Sequence, residues 1–333
     1  MDLISIVMPV YNSKEYINIA IESVLKQTFS NFELIIVDDG SYDGSEKICD
    51  LYALKDSRIK VIHKNNGGVC SARNLGIKKA KGKYITFLDN DDEYDESYLN
   101  KMYNVILSKK SDIVKCSRRN IKIDSNFNII NEKYNIYENI DLNFDEFAMK
   151  YYDIKKSNIL GSVWNSLYKK EIIDLYNITF DRNVKHGNED IIFNSQYLCY
   201  CNKISIISDV LYTHYYRINH STSMKFYDDQ IDSRIKALNL ELNIMKKYKN
   251  SNQYNLLQID GIRDCFRILQ QSDNKKIKKE QIKKIKNKLN FKLLKNTKII
   301  GNKTLSIEQK LDLFFIKYEL FSFYFFLRRL KKY

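Results

Sequence analysis

An α/β fold with a doubly wound, mostly parallel sheet and a helical, basic C-terminal extension is what the sequence predicts. Three observations lead there. Short apolar, β-branched runs alternate with amphipathic segments through the first ninety residues. Polar side chains recur where each run stops. The positive excess of the 333-residue chain lies entirely in its last third.

Ile4-Ser5-Ile6-Val7-Met8 reads as the first strand, short and apolar as a strand buried on both faces must be. Pro9-Val10-Tyr11-Asn12 ends it. Asn12 and Glu15 have the spacing of a capping box, ahead of a helix whose apolar face is Ile17, Ile21, Val24 and Leu25. Residues 33–37 form the second strand, which stops at Asp38-Asp39-Gly40-Ser41. Residues 59–63 form the third and lead into Asn65-Asn66-Gly67-Gly68, with a helix following over 71–79. Residues 84–88 form the fourth, which runs into Asp89-Asn90-Asp91-Asp92. Strands and helices in this alternation imply right-handed crossovers between parallel strands. Ligands of such sheets bind beyond the carboxyl ends of the strands. Tyr11, Asn12, Asp38, Asp39, Asn66, Asp89 and Asp91 all fall on that rim.

Composition removes several other classes. One proline and ten glycines rule out a collagen-like chain and speak against a sandwich of many tight turns. At 44% hydrophobic and 29% charged, the chain can build a core and is not expected to be disordered. No basic-plus-apolar leader precedes the first strand and no apolar run reaches bilayer length, so a cytoplasmic location is expected. Six scattered cysteines lack the paired spacing of a zinc site or a disulfide scaffold, and Cys199 and Cys201, alternating in an apolar run, read as small buried hydrophobes. The turn after the first strand contains no glycine and no P-loop is present, which excludes an ordinary dinucleotide or P-loop nucleotide site.

Asp89 and Asp91 place two carboxylates at alternate positions where an apolar strand ends. Hard oxygen donors there suit Mg²⁺ or Mn²⁺, which takes one or two carboxylates and completes its shell with substrate phosphate. Arg73, just inside the helix after Gly67-Gly68, adds a cation. Together, Pro9-Val10-Tyr11-Asn12, Val37-Asp38-Asp39-Gly40-Ser41, Asn66-Gly67-Gly68 with Ala72-Arg73-Asn74, and Phe87-Leu88-Asp89-Asn90-Asp91-Asp92 resemble the family-2 glycosyltransferases of GT-A fold. The resemblance covers about residues 3–220.

It implies a metal-dependent, inverting transfer of a sugar from a nucleotide-sugar, UDP by family habit, to a hydroxyl of a glycan or lipid-linked glycan. Cell-surface polysaccharide synthesis is the expected setting. Tyr11 and Asp39 would hold the base, with Pro9 and Arg73 lining the same pocket. Asp89, with Asn90 beside it, would reach the ribose, and Asp91 would ligate the Mn²⁺ or Mg²⁺ ion. Val163-Trp164-Asn165-Ser166-Leu167-Tyr168 is similar to the family's acceptor-side element, although the lone Trp164 reads equally well as a core residue. Gly187-Asn188-Glu189-Asp190 looks like the motif in which the aspartate, here Asp190, is the catalytic base. Tyr216-Arg217 with His220 is similar to a tail motif over the diphosphate, where Arg217 or His220 would steady the leaving group.

A catalytic domain over 1–220 is expected, with a nucleotide-binding half to about 92 and an acceptor half beyond it; residues 221–333 form a separate region. Residues 1–219 hold 29 Lys and Arg against 30 Asp and Glu, whereas residues 220–333 hold 26 against 11. The densest run, Lys275 to Lys288, has Ile282, Ile285 and Leu289 at helical spacing. Aromatics mass at Phe314-Phe315 and from Phe321 to Phe326, followed by Arg328-Arg329-Leu330-Lys331-Lys332. Such a segment suits the headgroup zone of an anionic membrane, giving a peripheral place on its inner face; a helix packed on the domain is the other reading. Nucleic acid is not expected, because the aromatics are not interleaved with the lysines as stacking platforms would be. Two other functions compete: a nucleotidyltransferase on a sugar phosphate, whose Gly-rich basic signature is missing, and a non-catalytic polyanion-binding module with a decayed site.

Overall fold

The structure is a computed structural model and describes residues 1–124, 126, 128–217, 226–291, 293 and 305–330. The chain forms two compact units, Met1–Lys185 with Glu189–Ser221, and His186–Asn188 with Thr222–Tyr333. The first begins as β1 (Ile4–Val10), α1 (Ile17–Leu25), β2 (Phe32–Asp38), α2 (Ser45–Lys55), β3 (Ile59–His63), α3 (Val69–Lys79) and β4 (Tyr84–Phe87). β2 and β4 both pair parallel to β1, and β3 pairs parallel to β2. All seven residues of β1 and of β2 are buried, which is why these runs carry no alternation of polar side chains. Because β2 lies on one side of β1 and β4 on the other, the carboxyl ends of β1 and β4 border the crevice where winding reverses.

The second half departs from a mostly parallel sheet. It comprises β5 (Glu93–Tyr94), α4 (Tyr98–Lys109), β6 (Ile113–Ile123), β7 (Ile129–Asn135), β8 (Ile140–Asn143), α5 (Phe144–Lys156), β9 (Ser166–Lys169), α6 (Lys170–Leu175), α7 (Glu189–Leu198) and β10 (Lys203–Arg217). The main order is β3-β2-β1-β4-β9-β6-β10-β5, with β7 on β6 and β8 on β10. β9 runs antiparallel to both β4 and β6, so the sheet is mixed beyond β4. Apolar runs reveal strands but not their direction, and direction follows from connections the sequence does not spell out.

The expected capping box at Asn12 and Glu15 does not form; α1 starts at Ile17 without a side-chain cap. Asn12 instead adopts a left-handed backbone with φ 48°, its amide donating to Ser41 Oγ and its Oδ1 accepting from the Tyr42 amide, each at 3.0 Å. A residue that read as local helix punctuation thus ties two rim loops together.

α3 lies unusually close to β1. A Cβ added at Gly76 would sit 2.3 Å from Val7 Cγ1, deep in a packed interface. Gly76→Ala is therefore expected to destabilise the fold by about 1–3 kcal/mol as an overpacked core substitution. A denaturant midpoint equal to wild type would refute that reading.

The second unit is helical: α8 (Gln230–Ile244), α9 (Asn252–Gln270), α10 (Lys275–Lys288), α11 (Ile307–Lys317) and α12 (Phe321–Leu330). Phe266 of α9 is fully buried, with the Phe321 ring at 5.2 Å and the Tyr324 ring at 6.2 Å. Arg234 bridges Glu241 and Asp264 at 2.9 and 3.1 Å, while Arg263 and Arg328 both pair with Asp312. These helices are joined by charge as well as by apolar packing. His186 stacks on Tyr227 at 3.6 Å and shares a hydrogen bond with Asp229, a packing role. Among the described residues no helix is long and apolar enough to cross a membrane. All six cysteines are free; Cys201 is buried as expected, whereas Cys199 is only partly buried.

Candidate functional site

The rim beyond β1, β2, α3 and β4 gathers most of the expected residues. Asp39 follows the last residue of β2, and its amide bonds the Val10 carbonyl at the end of β1 at 2.8 Å. Gly68 (φ 82°) lets the chain turn so that the Gly67 and Gly68 amides both donate to the Asp39 carboxylate, at 3.0 and 2.7 Å. Lys64 pairs with the same carboxylate. Asp39 is thereby fixed and buried, while Tyr11 stands 46% exposed with Tyr42 edge-on at 6.3 Å. An open aromatic face beside a fixed acceptor suits a planar heterocycle with an N–H donor. Pro9 is buried in β1, opposite Val37.

Arg73 is the hub of the site. It lies one turn before Gly76 on the inward face of α3 and is 3% exposed. One arm of its guanidinium donates to Asp190 at 2.7 Å, the other to Asp89 at 2.8 Å, and Glu189 lies 3.9 Å away. The Phe180 ring covers it at 5.2 Å. Burial disfavours its charge, yet Asp190, Asp89 and Glu189 outweigh this and raise its pKa. Asp190, in the first turn of α7, has its pKa raised by burial first, with Glu189 and Asp89 adding and Arg73 opposing.

The Val163 amide donates to Asp190 at 3.2 Å, and the carbonyl of that same peptide unit, Ser162 O, accepts from Lys115 at 2.8 Å and Asn194 at 2.9 Å. A cation on the carbonyl side polarises the peptide toward the carboxylate on the amide side. Lys115 is fully buried in β6, and burial holds its ammonium down to about 7.

Asp91 faces a different cation. Arg217, at the end of β10, donates to its Oδ2 at 2.6 Å and to its main-chain carbonyl at 2.7 Å, with the Tyr16 ring 4.0 Å from the guanidinium carbon. Burial and then Asp92 push the Asp91 carboxyl upward, against Arg217. Asn90 donates to Ser13 Oγ at 2.6 Å. Among the described residues no cluster of three or more His, Cys, Asp or Glu side chains is arranged around a metal position. The donor set still fits a divalent ion that takes one or two protein carboxylates and its remaining oxygens from elsewhere. Arg217 occupies Asp91 Oδ2 here, so an ion bound there would have to displace it.

Other expected residues stand off the rim. Trp164 belongs to the core cluster and is 7% exposed, stacked on Tyr212 at 4.1 Å and on His214 at 5.5 Å. Asn165 is fully buried; its Nδ2 donates to Cys116 O and its Oδ1 accepts from Ser162 Oγ. Of the two readings the sequence left open for Trp164, its burial favours the core one, and Asn165 is held within the fold by these bonds. Asp92 is also buried, taking hydrogen bonds from Tyr212 Oη at 2.7 Å and the Tyr215 amide at 2.9 Å, with His214 Nδ1 at 2.9 Å. It anchors β10 and so places Arg217. His220 lies outside the described residues.

Lys64, Lys115 and Asn194 were not singled out from the sequence. Lys115 left one signal, a charge inside the apolar run Ile113-Val114-Lys115-Cys116. Lys64 and Asn194 left none.

The sheet is doubly wound through β4 with acidic residues on its switch-point rim, and its solved neighbours are of GT-A fold. The chain belongs to glycosyl transferase family 2, matching "Glycosyl transferase family 2" over residues 5–175. It is similar to the uncharacterized glycosyltransferase EpsJ of Bacillus subtilis, 32% identical over 67% of this chain and 64% of that protein. It is also similar to the minor teichoic acid biosynthesis protein GgaB of the same organism, 34% identical over 66% of this chain and 24% of that protein. These matches span less than two thirds of the relatives' length. S. aureus TarS 1-349, solved in complex with UDP-GlcNAc, shares the fold with a TM-score of 0.60 at 21% identity, over 80% of this chain and 81% of that chain.

Proposed function

We propose that this chain is a metal-dependent, inverting glycosyltransferase that moves a sugar from a UDP-sugar to a hydroxyl of a glycan or lipid-linked glycan in cell-surface polysaccharide synthesis. The observation that carries the reading is Arg73. Its two arms hold Asp89, at the end of β4, and Asp190, at the start of α7, on one guanidinium. Residues far apart in sequence therefore converge on the rim, which supports placing the nucleotide-sugar's reactive bond there. The UDP-GlcNAc in TarS and the teichoic-acid naming of GgaB support the donor and acceptor classes.

In this mechanism Tyr11 and Asp39 bind the base and Asp89 orients the ribose. Asp190 accepts the proton from the acceptor hydroxyl as its oxygen bonds to the anomeric carbon. The bond from that carbon to the diphosphate breaks on the opposite face, and the electron pair leaves with the nucleoside diphosphate. Arg73 holds Asp190 in position, and the Val163 amide fixes its second oxygen. A divalent ion at Asp91, when bound, supplies the positive charge that stabilises the departing diphosphate. Arg217, paired with Asp91 here, is placed to turn to the same phosphates.

Release of nucleoside diphosphate from a panel of nucleotide-sugars, with and without Mn²⁺, tests the assignment; no release from any donor under either condition would sink it. Asp91→Asn should weaken Mn²⁺-dependent binding of UDP about tenfold or more, the loss of one charged ligand contact. Calorimetric titration of UDP with and without Mn²⁺ reads this directly, and an unchanged affinity would remove Asp91 from the metal site. We place the protein peripherally at an anionic membrane face, its basic second unit drawing it to a lipid-linked acceptor.

A further inference from the structure

Within the second unit, α10 and α12 enclose a groove of about 690 Å³. That is the size of a small-molecule site. One wall is Lys275, Lys278, Lys279 and Ile282, a single face of α10, with the carboxylate residue Asp273 just before it; the other includes Phe321, Phe325 and Phe326 of α12. Lys278 Nζ stands 4.1 Å from the Phe325 ring centre and Lys286 Nζ 5.2 Å from that of Phe321. Three lysines and one aspartate thus line a groove whose other wall is aromatic, while Lys286, outside it, pairs with Glu319. Phe323 and Phe326, half exposed at 51% and 55%, continue the apolar surface outward, with Leu320 at 46%. α10 as a whole carries eight lysines against one glutamate.

We propose that this groove binds an anionic phospholipid of a membrane surface, the phosphate on Lys275, Lys278 and Lys279 and the first part of an acyl chain on Phe321, Phe325 and Phe326. Cations at one edge of an aromatic slot match a molecule charged at one end and apolar at the other. A neutral lipid would leave the lysines unused, and an inorganic anion would leave the phenylalanines unused. The exposed Phe323 and Phe326 would enter the headgroup zone beside the bound lipid. The inference sharpens the membrane placement proposed above from diffuse attraction to a built site, and it rests on that placement.

The test uses the full chain and a short-chain phosphatidic acid below its micelle concentration, titrated calorimetrically, beside vesicles of phosphatidylcholine with and without phosphatidylglycerol. Lys275→Gln with Lys279→Gln should weaken the short-chain lipid about twenty-five-fold, near fivefold for each lysine. The charge-matched pair Lys276→Gln with Lys283→Gln lies on α10 outside the groove and should change it less than about twofold. Ser322→Trp, which fills the slot without altering charge, should abolish binding of the monomeric lipid while leaving adsorption to anionic vesicles in place. Equal losses in both lysine pairs would reduce the groove to general surface charge. Inorganic phosphate binding as tightly as the lipid would make it an anion site only, and no binding to wild type would end the proposal. Donor hydrolysis with Mn²⁺, run on the same samples, reports separately on the glycosyltransferase assignment.

Discussion

Asp190→Asn is expected to lower turnover at least about a hundredfold, the lower end of what general-base assistance contributes, while leaving UDP affinity close to wild type. The substitution keeps the shape, but its single amide oxygen can accept from only one of Arg73 and the Val163 amide, and it removes the charge that accepts the proton. The raised pKa of Asp190 sets the pH dependence. A base works only when deprotonated, so the wild-type rate should fall as pH drops from neutral, with a midpoint well above the ordinary carboxylate range. Asp190→Asn should flatten that acid limb. Steady-state rates across pH, paired with UDP titrations, make the comparison. A variant with near-normal turnover, or one whose acid limb is unmoved, would transfer the base to another residue.

Much of this site could be read from the sequence because its parts end strands. A buried strand reads as an apolar run, and the polar residue that stops it marks the rim; Asp39 and Asp89 were found this way. The four parallel strands were legible for the same reason. What pattern could not supply was the far partner. Nothing near Arg73 in the chain shows that it reaches Asp190, 117 positions on, and nothing around Lys115 shows that it braces the peptide facing that aspartate. Trp164 shows where a motif left two readings open, acceptor side or core, and its stacking on Tyr212 shows the packing that sequence alone could not reveal. Asn12 had the right chemistry for a helix cap, and a long-range bond to the Tyr42 amide claimed it instead. Strand direction beyond β4 was equally invisible, since β9 inserts antiparallel between β4 and β6.

Arg73→Met should be the most damaging single change in the molecule. The side chain is 3% exposed and counters Asp190, Asp89 and Glu189 together. Removing one partner of a fully buried pair typically costs about 3–5 kcal/mol. Here Asp190, Glu189 and Asp89 keep 16%, 22% and 27% of their side chains exposed, so the loss should fall at or below the lower end. The cost should depend on pH, and the direction follows from linkage. Without Arg73, the influence that lowers the Asp190 pKa is gone. The native carboxyl then titrates further above its unfolded value, and the folded state binds more protons than the unfolded state across that interval. Stability therefore falls as pH rises through the interval and is recovered below the unfolded carboxylate pKa. Arg73→Met should thus lie closer to wild type near pH 5 than near pH 8, and the acid limb of any residual activity should move to higher pH. Arg73→Lys should recover only part of the loss, since a point charge cannot reach Asp89 and Asp190 in the two-armed geometry of a guanidinium. Urea unfolding at the two pH values decides it: a deficit that is the same at both would mean that Arg73 packs the site without holding its charges.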